Sequence, residues 1–138
     1  MPPLFIKTPW DDRAVEQAVD EAIASGRTRI KASRMKLGDY HGFSGDQRVL
    51  ADRKIKVAID LGLIPKPKKC SVCGTVESRR FDYHNDDYGH PLRTVAICWK
   101  CHSALHNRDR SPGWAANWEK RVKAHGDGTK WFEHISRK

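Results

Sequence analysis

No stretch of this 138-residue chain is apolar for long enough to predict a membrane span. There is no internal repeat and no low-complexity tract, which excludes solenoid arrays and biased linkers. The opening Met1-Pro2-Pro3-Leu4-Phe5-Ile6 is too short and too rich in proline for a signal peptide, so the expected compartment is the cytosol, where thiols stay reduced. Acids are missing from residues 26–38. Cysteine is scarce, with four in all, and none stands outside a C-x-x-C pair. A chain of this length is one domain, or one domain with a short appendage, and buries only a modest core.

The two cysteine pairs are Cys70-Ser-Val-Cys73 and Cys98-Trp-Lys-Cys101, with 24 residues between them. Two such pairs in a reducing compartment predict one tetrahedral Zn²⁺ bound by Cys70, Cys73, Cys98 and Cys101, rather than two disulfides. A thioredoxin-like redox role needs a single pair between a strand and a helix, which fits this separation poorly. A four-thiolate site is closed to water, so its expected role is structural. It pins the two ends of the intervening segment together.

Charge is abundant and uneven. The sequence holds 26 Lys and Arg against 17 Asp and Glu, a formal net charge of +9. The acids Asp11, Asp12, Glu16, Asp20 and Glu21 dominate the first 23 residues. Arg27, Arg29, Lys31, Arg34 and Lys36 follow, and Lys66, Lys68 and Lys69 stand just before the first cysteine pair. Clustered bases on a zinc protein point to a polyanion, most simply DNA, whereas dispersed ones would only keep the surface solvated.

Hydrophobic spacing divides the chain into 1–66, 67–110 and 111–138. Thr8-Pro9 reads as a helix cap, followed by Ala14, Val15, Ala18, Val19, Ala22 and Ile23 at helical spacing until Ser25-Gly26. Residues 27–45 read as a basic arm broken by Gly38, Gly42 and Gly45, able to order on a polyanion. A second helix is expected from Ser44 to Leu61, with Val49, Leu50, Ile55, Val57, Ala58, Ile59 and Leu61 as its apolar face and Gly62 just past its end. Strands are expected at 79–84 and 91–97 and a helix at 99–108. Beyond Ser111-Pro112, Trp114, Trp118 and Val122 share one helix face, a spacing that favours packing over base stacking. Trp131, Phe132 and Ile135 follow.

Histidines surround the cysteines. His102 and His106 are four apart on the expected helix, so both imidazoles lie on one face and can serve one metal. His84 on the preceding strand is the natural third ligand or a general base. Asp82, two residues earlier, shares its face and can orient it or help bind metal. Asp86 and Asp87 read as a turn. His41, His90, His125 and His134 have no constellation around them.

These residues resemble the HNH, or ββα-metal, nuclease group, of the small phage and bacterial type. The match runs through Cys70–Cys73, then His84-Asn85-Asp86-Asp87-Tyr88-Gly89-His90-Pro91-Leu92, then Cys98-Trp99-Lys100-Cys101-His102-Ser103-Ala104-Leu105-His106. The resemblance implies an α+β fold: a zinc-stabilised ββα core flanked by N- and C-terminal helices. It also implies a second divalent metal (Mg²⁺, Mn²⁺ or Ni²⁺) held by His102 and His106, with His84 in the strand motif. The implied activity is DNA endonuclease or nickase, in a bacterial or phage-infected cell. Members of this spacing often carry His-His where this chain has His84-Asn85. If His84 takes the first position it is a ligand, and Asn85 stands where the base belongs, although an amide cannot accept that proton at neutral pH. If His84 takes the second position it is the base. An alternative function is a catalytically degenerate HNH-fold protein that binds DNA without cutting it. A third is a zinc-held scaffold with no affinity for nucleic acid.

Overall fold

The computed structural model describes residues 8–39, 42–84 and 88–124. Among these are four helices and one two-stranded antiparallel sheet, a mixed α and β architecture. In chain order they are α1 (Asp12–Ala24), α2 (Gly45–Asp60), β1 (Phe81–His84), β2 (Val95–Cys98), α3 (Trp99–Asn107) and α4 (Pro112–Ala124). The chain divides into two compact units. Of the described residues, one unit takes 8–66 and 88–94, and the other takes 67–84 and 95–124.

In the first unit, α1 begins later than Thr8-Pro9 suggests. Asp11 is the cap, its carboxylate accepting from the backbone N–H groups of Arg13 and Ala14, while the Thr8 hydroxyl donates to the Trp10 carbonyl. A carboxylate serves the exposed N–H groups and the positive end of the helix dipole together, which explains the shift. Val15, Val19 and Ala22 are buried. Helix α2 opens with a capping box between Ser44 and Gln47, and Gly62 (φ 74°) takes the left-handed position after its last turn. Its buried stripe is narrower than the apolar sequence suggests: Ala51, Val57 and Ala58 are covered, but Leu50 and Leu61 are exposed. The basic stretch between the helices has no regular structure over 27–39. It is tied to α2 by an Arg29–Asp60 ion pair at 2.8 Å and by Arg53 donating to the Ile30 carbonyl.

The second unit is built on the hairpin. Phe81 pairs with Cys98, Asp82 with Ile97, Tyr83 with Ala96 and His84 with Val95. The strands are shorter than the sequence suggests, because Pro91 and Leu92 stand outside the ladder. The Cys70–Gly74 turn is fastened to β2 by the Ser71 N–H donating to the Ala96 carbonyl. Gly74 (φ 76°) supplies the left-handed residue this turn requires, and its N–H closes back on the Cys70 carbonyl. Helix α3 packs on both strands, and α4 packs on α3. The buried cluster joins Val72, Ile97, Ala104, Leu105 and Trp118 to three of the cysteines, with Phe81, Val95, Trp114 and Val122 at its edge. Trp114, Trp118 and Val122 are therefore packing residues. Trp131, Phe132 and Ile135 lie outside the described residues.

Candidate metal centres

Two groups of metal-ligating side chains stand on this hairpin-and-helix frame. The first is Cys70, Cys73, Cys98 and Cys101, whose sulfurs all lie within 4.8 Å of one another. All four are free thiols. The Cys73 and Cys98 sulfurs are 3.9 Å apart. An ion with sulfur ligands at about 2.3 Å in tetrahedral array separates them by about 3.8 Å, whereas a disulfide needs about 2 Å. The spacing fits four ligands on one ion.

Backbone donors shape this group. Val72 and Cys73 N–H both point at the Cys70 sulfur, at 3.4 Å, and the Cys101 N–H points at the Cys98 sulfur at the same distance. Cys98 is at once the last residue of β2 and the cap of α3. The Arg121 guanidinium on α4 donates to the Cys101 sulfur at 3.5 Å and so offsets thiolate charge. A hydrogen bond from Cys101, reinforced by the backbone donors, draws the Cys70 thiol down to about 4 against the opposing effect of burial. The same bond, with burial, pushes Cys101 upward. Burial pushes the Cys98 thiol upward as well, and an ion that takes four thiolates would displace the protons these thiols hold.

The second group is His84, His102 and His106. Their ligand atoms also lie within 4.8 Å of one another. The period of two along β1 puts Asp82 and His84 on one side of the hairpin, and the period of 3.6 along α3 brings His102 and His106 over it. Ring centroids are separated by 5.2 Å for His84–His102, 5.3 Å for His84–His106 and 4.7 Å for His102–His106. His84 is only 3% exposed, while His106 faces solvent.

The orientation of His102 follows from its partners. Its Nδ1 is 3.1 Å from the Asp82 carboxylate, which fixes that nitrogen as the N–H donor. The lone pair is then on Nε2, and Nε2 lies 2.9 Å from Nε2 of His106. Two nitrogens on one ion at about 2.1 Å stand about 3.0 Å apart in a right-angle arrangement, so this pair is spaced as two ligands are. Burial is the largest influence on His102, followed by the nearby His84. Together they hold its pKa below the ordinary imidazole value, while Asp82 pulls the other way. His102 is therefore neutral, and able to ligate, at neutral pH.

Asp82 binds His102 and, through its Oδ2, Arg80 at 3.1 Å. The sequence offered Asp82 as an orienter of His84; the carboxylate instead turns across the hairpin to the helix. Arg80 is a site residue that sequence reasoning missed. Its signal was its place two residues before Asp82, just ahead of β1. Arg27, Arg29, Lys31, Arg34, Lys36, Lys66, Lys68 and Lys69 are all exposed; Lys68 and Lys69 come directly before Cys70, and Arg27, Arg29, Lys31, Arg34 and Lys36 stand well apart from both groups in sequence. Asn85, Asp86 and Asp87 lie outside the described residues. Comparison with protein-family models, with curated proteins and with solved structures finds no match.

Proposed function

We propose that the protein is a divalent-metal-dependent DNA endonuclease or nickase of the HNH type, with a structural Zn²⁺ on Cys70, Cys73, Cys98 and Cys101. The observation that carries the reading is the three-imidazole group backed by a carboxylate: His84, His102 and His106 converge, and Asp82 sets the tautomer of His102. Three nitrogens with one solvent-facing member suit an ion that must also meet a substrate. The clustered bases supply attraction for the phosphate backbone.

In this reading His102 and His106 hold the second ion. When bound, that ion supplies Lewis acidity toward the phosphoryl oxygens. Asp82 keeps the His102 Nε2 lone pair aimed at the centre. His84, buried beside both rings, either adds a third nitrogen or accepts the proton of the attacking water. The four-thiolate group takes no part in the chemistry. It keeps β2 and the start of α3 in register.

The test is cleavage of supercoiled plasmid by the zinc-loaded protein with Mg²⁺, Mn²⁺ or Ni²⁺. Wild type nicks. His102→Ala and His84→Ala each lose about a hundredfold or more, the scale of a positioned catalytic group. Undiminished cutting by both variants refutes the assignment. Asn85→His raises the rate if His84 is a ligand and leaves it unchanged if His84 is already the base. Salt-sensitive DNA binding with no cleavage under any metal converts the reading to a protein that binds without cutting.

A further inference from the structure

A cleft of about 640 Å³ opens beside the cysteine group, lined among others by Glu77, Ser78, Arg79, Trp99, Lys100 and Arg121. The mechanism above uses none of these. Three of them are cationic and one is acidic. Arg121 is engaged by the Cys101 sulfur and by Asn117, so it serves the cluster behind the cleft. Arg79 and Lys100 are different: both are exposed, and neither forms an ion pair among the described residues. The Arg79 guanidinium lies over the Trp99 ring, 4.7 Å from its centroid, and Trp99 is only half-buried.

The placement has a local cause. Arg79 lies in the bend just ahead of β1, outside the strand that carries Asp82 and His84, and its guanidinium turns to Trp99. Trp99 and Lys100 are the first two residues of α3, directly after the ligand Cys98. The rim therefore combines a planar aromatic surface with two cations outside any ion pair among the described residues, with Glu77 the one acid on the same lining. A stacking platform with cations alongside is how proteins hold single-stranded nucleic acid without reading its sequence. The concavity is of the size that takes one small-molecule unit, such as a nucleotide, and a flat duplex face would not enter it.

We propose that this cleft binds an unpaired nucleotide of single-stranded nucleic acid, its base against Trp99 and its phosphates on Arg79 and Lys100. Arg79 now rests on the indole, 4.7 Å from its centroid, so a base takes that place as the guanidinium swings aside to a phosphate. The site is separate from the imidazole group, and its occupancy does not depend on hydrolysis there.

The experiment measures binding of a fluorescent short oligo(dT) to the full-length, zinc-loaded protein across a salt series, with no other divalent ion added. Wild type binds oligo(dT) more tightly than a duplex of equal length. Arg79→Gln with Lys100→Gln removes two phosphate contacts, so the slope of log affinity against log salt becomes shallower by about 1.4. Trp99→Leu weakens binding by about fivefold or more, and Trp99→Phe retains most of it. Zinc content measured on each variant shows that the fold is kept; Arg79 and Lys100 are exposed, so the double variant cannot fail by unfolding a core. Absence of oligo(dT) binding, an unchanged salt slope in the double variant, or displacement by an acidic peptide as readily as by oligo(dT) overturns the proposal. Oligo(dT) binding without plasmid cleavage removes the hydrolytic reading and leaves this one standing. Cleavage without oligo(dT) binding does the reverse.

Discussion

Replacing Asp82 by Asn probes the least obvious part of the imidazole centre. The side chain keeps its size, but the carboxylate that accepts from His102 Nδ1 at 3.1 Å is lost. Carboxylates behind a ligating histidine contribute about ten- to a hundredfold in metal affinity, or about 1.4–2.8 kcal/mol. Here the lower half of that range applies. The Asp82 side chain is 27% exposed and divides its charge between His102 and Arg80. Arg80 remains in the variant, and its positive charge then bears on His102 without compensation. The expected loss is about ten- to thirtyfold in Mn²⁺ or Ni²⁺ affinity by titration calorimetry on zinc-loaded protein. A second readout separates positioning from simple destabilisation. Ring ¹⁵N shifts of His102 without the second ion move away from the Nδ1–H tautomer in Asp82→Asn and stay there in wild type. Unaltered affinity together with an unaltered tautomer would show that Asp82 does not orient His102.

Other outcomes follow from the same geometry. Cys70→Ser or Cys98→Ser removes a ligand of the four-sulfur group; mass spectrometry finds no retained zinc, and the melting temperature falls as it does when wild type is treated with a chelator. Trp118 is 1% exposed and its indole N–H has no partner among the described residues, so Trp118→Ala costs about 3–5 kcal/mol in urea unfolding. Trp118→Phe costs less, because it discards the unpaired donor as well. The depressed His102 pKa gives a signed pH effect. As pH falls below about 6.5, the unfolded chain takes up a proton that the folded one still refuses, so stability drops until the folded pKa is passed. Unfolding of the zinc-loaded protein between pH about 7.5 and about 5.5 therefore shows a smaller pH dependence in His102→Gln than in wild type; equal slopes contradict the burial argument.

Periodicity and metal chemistry made much of the second unit legible. Paired cysteines can share an ion only if the chain between them returns on itself, and a hairpin feeding a helix is the shortest way back. His102 and His106 fall together by helical spacing alone. What stayed hidden depended on choices between competing partners. Asp11 outcompetes Thr8 as a cap because a carboxylate satisfies two N–H groups. Leu50 and Leu61 look like core yet are exposed, because the buried stripe of α2 is only Ala51, Val57 and Ala58. Asp82 chose His102 over His84 through the rotation of α3 about the hairpin, which no strand pattern encodes. The Arg79–Trp99 stack joins residues from two elements whose closeness is set by the fold.

The junction at Cys98 leaves no slack between strand and helix. With no loop to absorb movement, any shift of that sulfur turns the first coil of α3 directly, and His102 sits one turn further on. The thiolate cluster thus works like the fixed end of a crank whose handle carries two imidazoles. Oxidising the sulfurs would therefore shift both nitrogens.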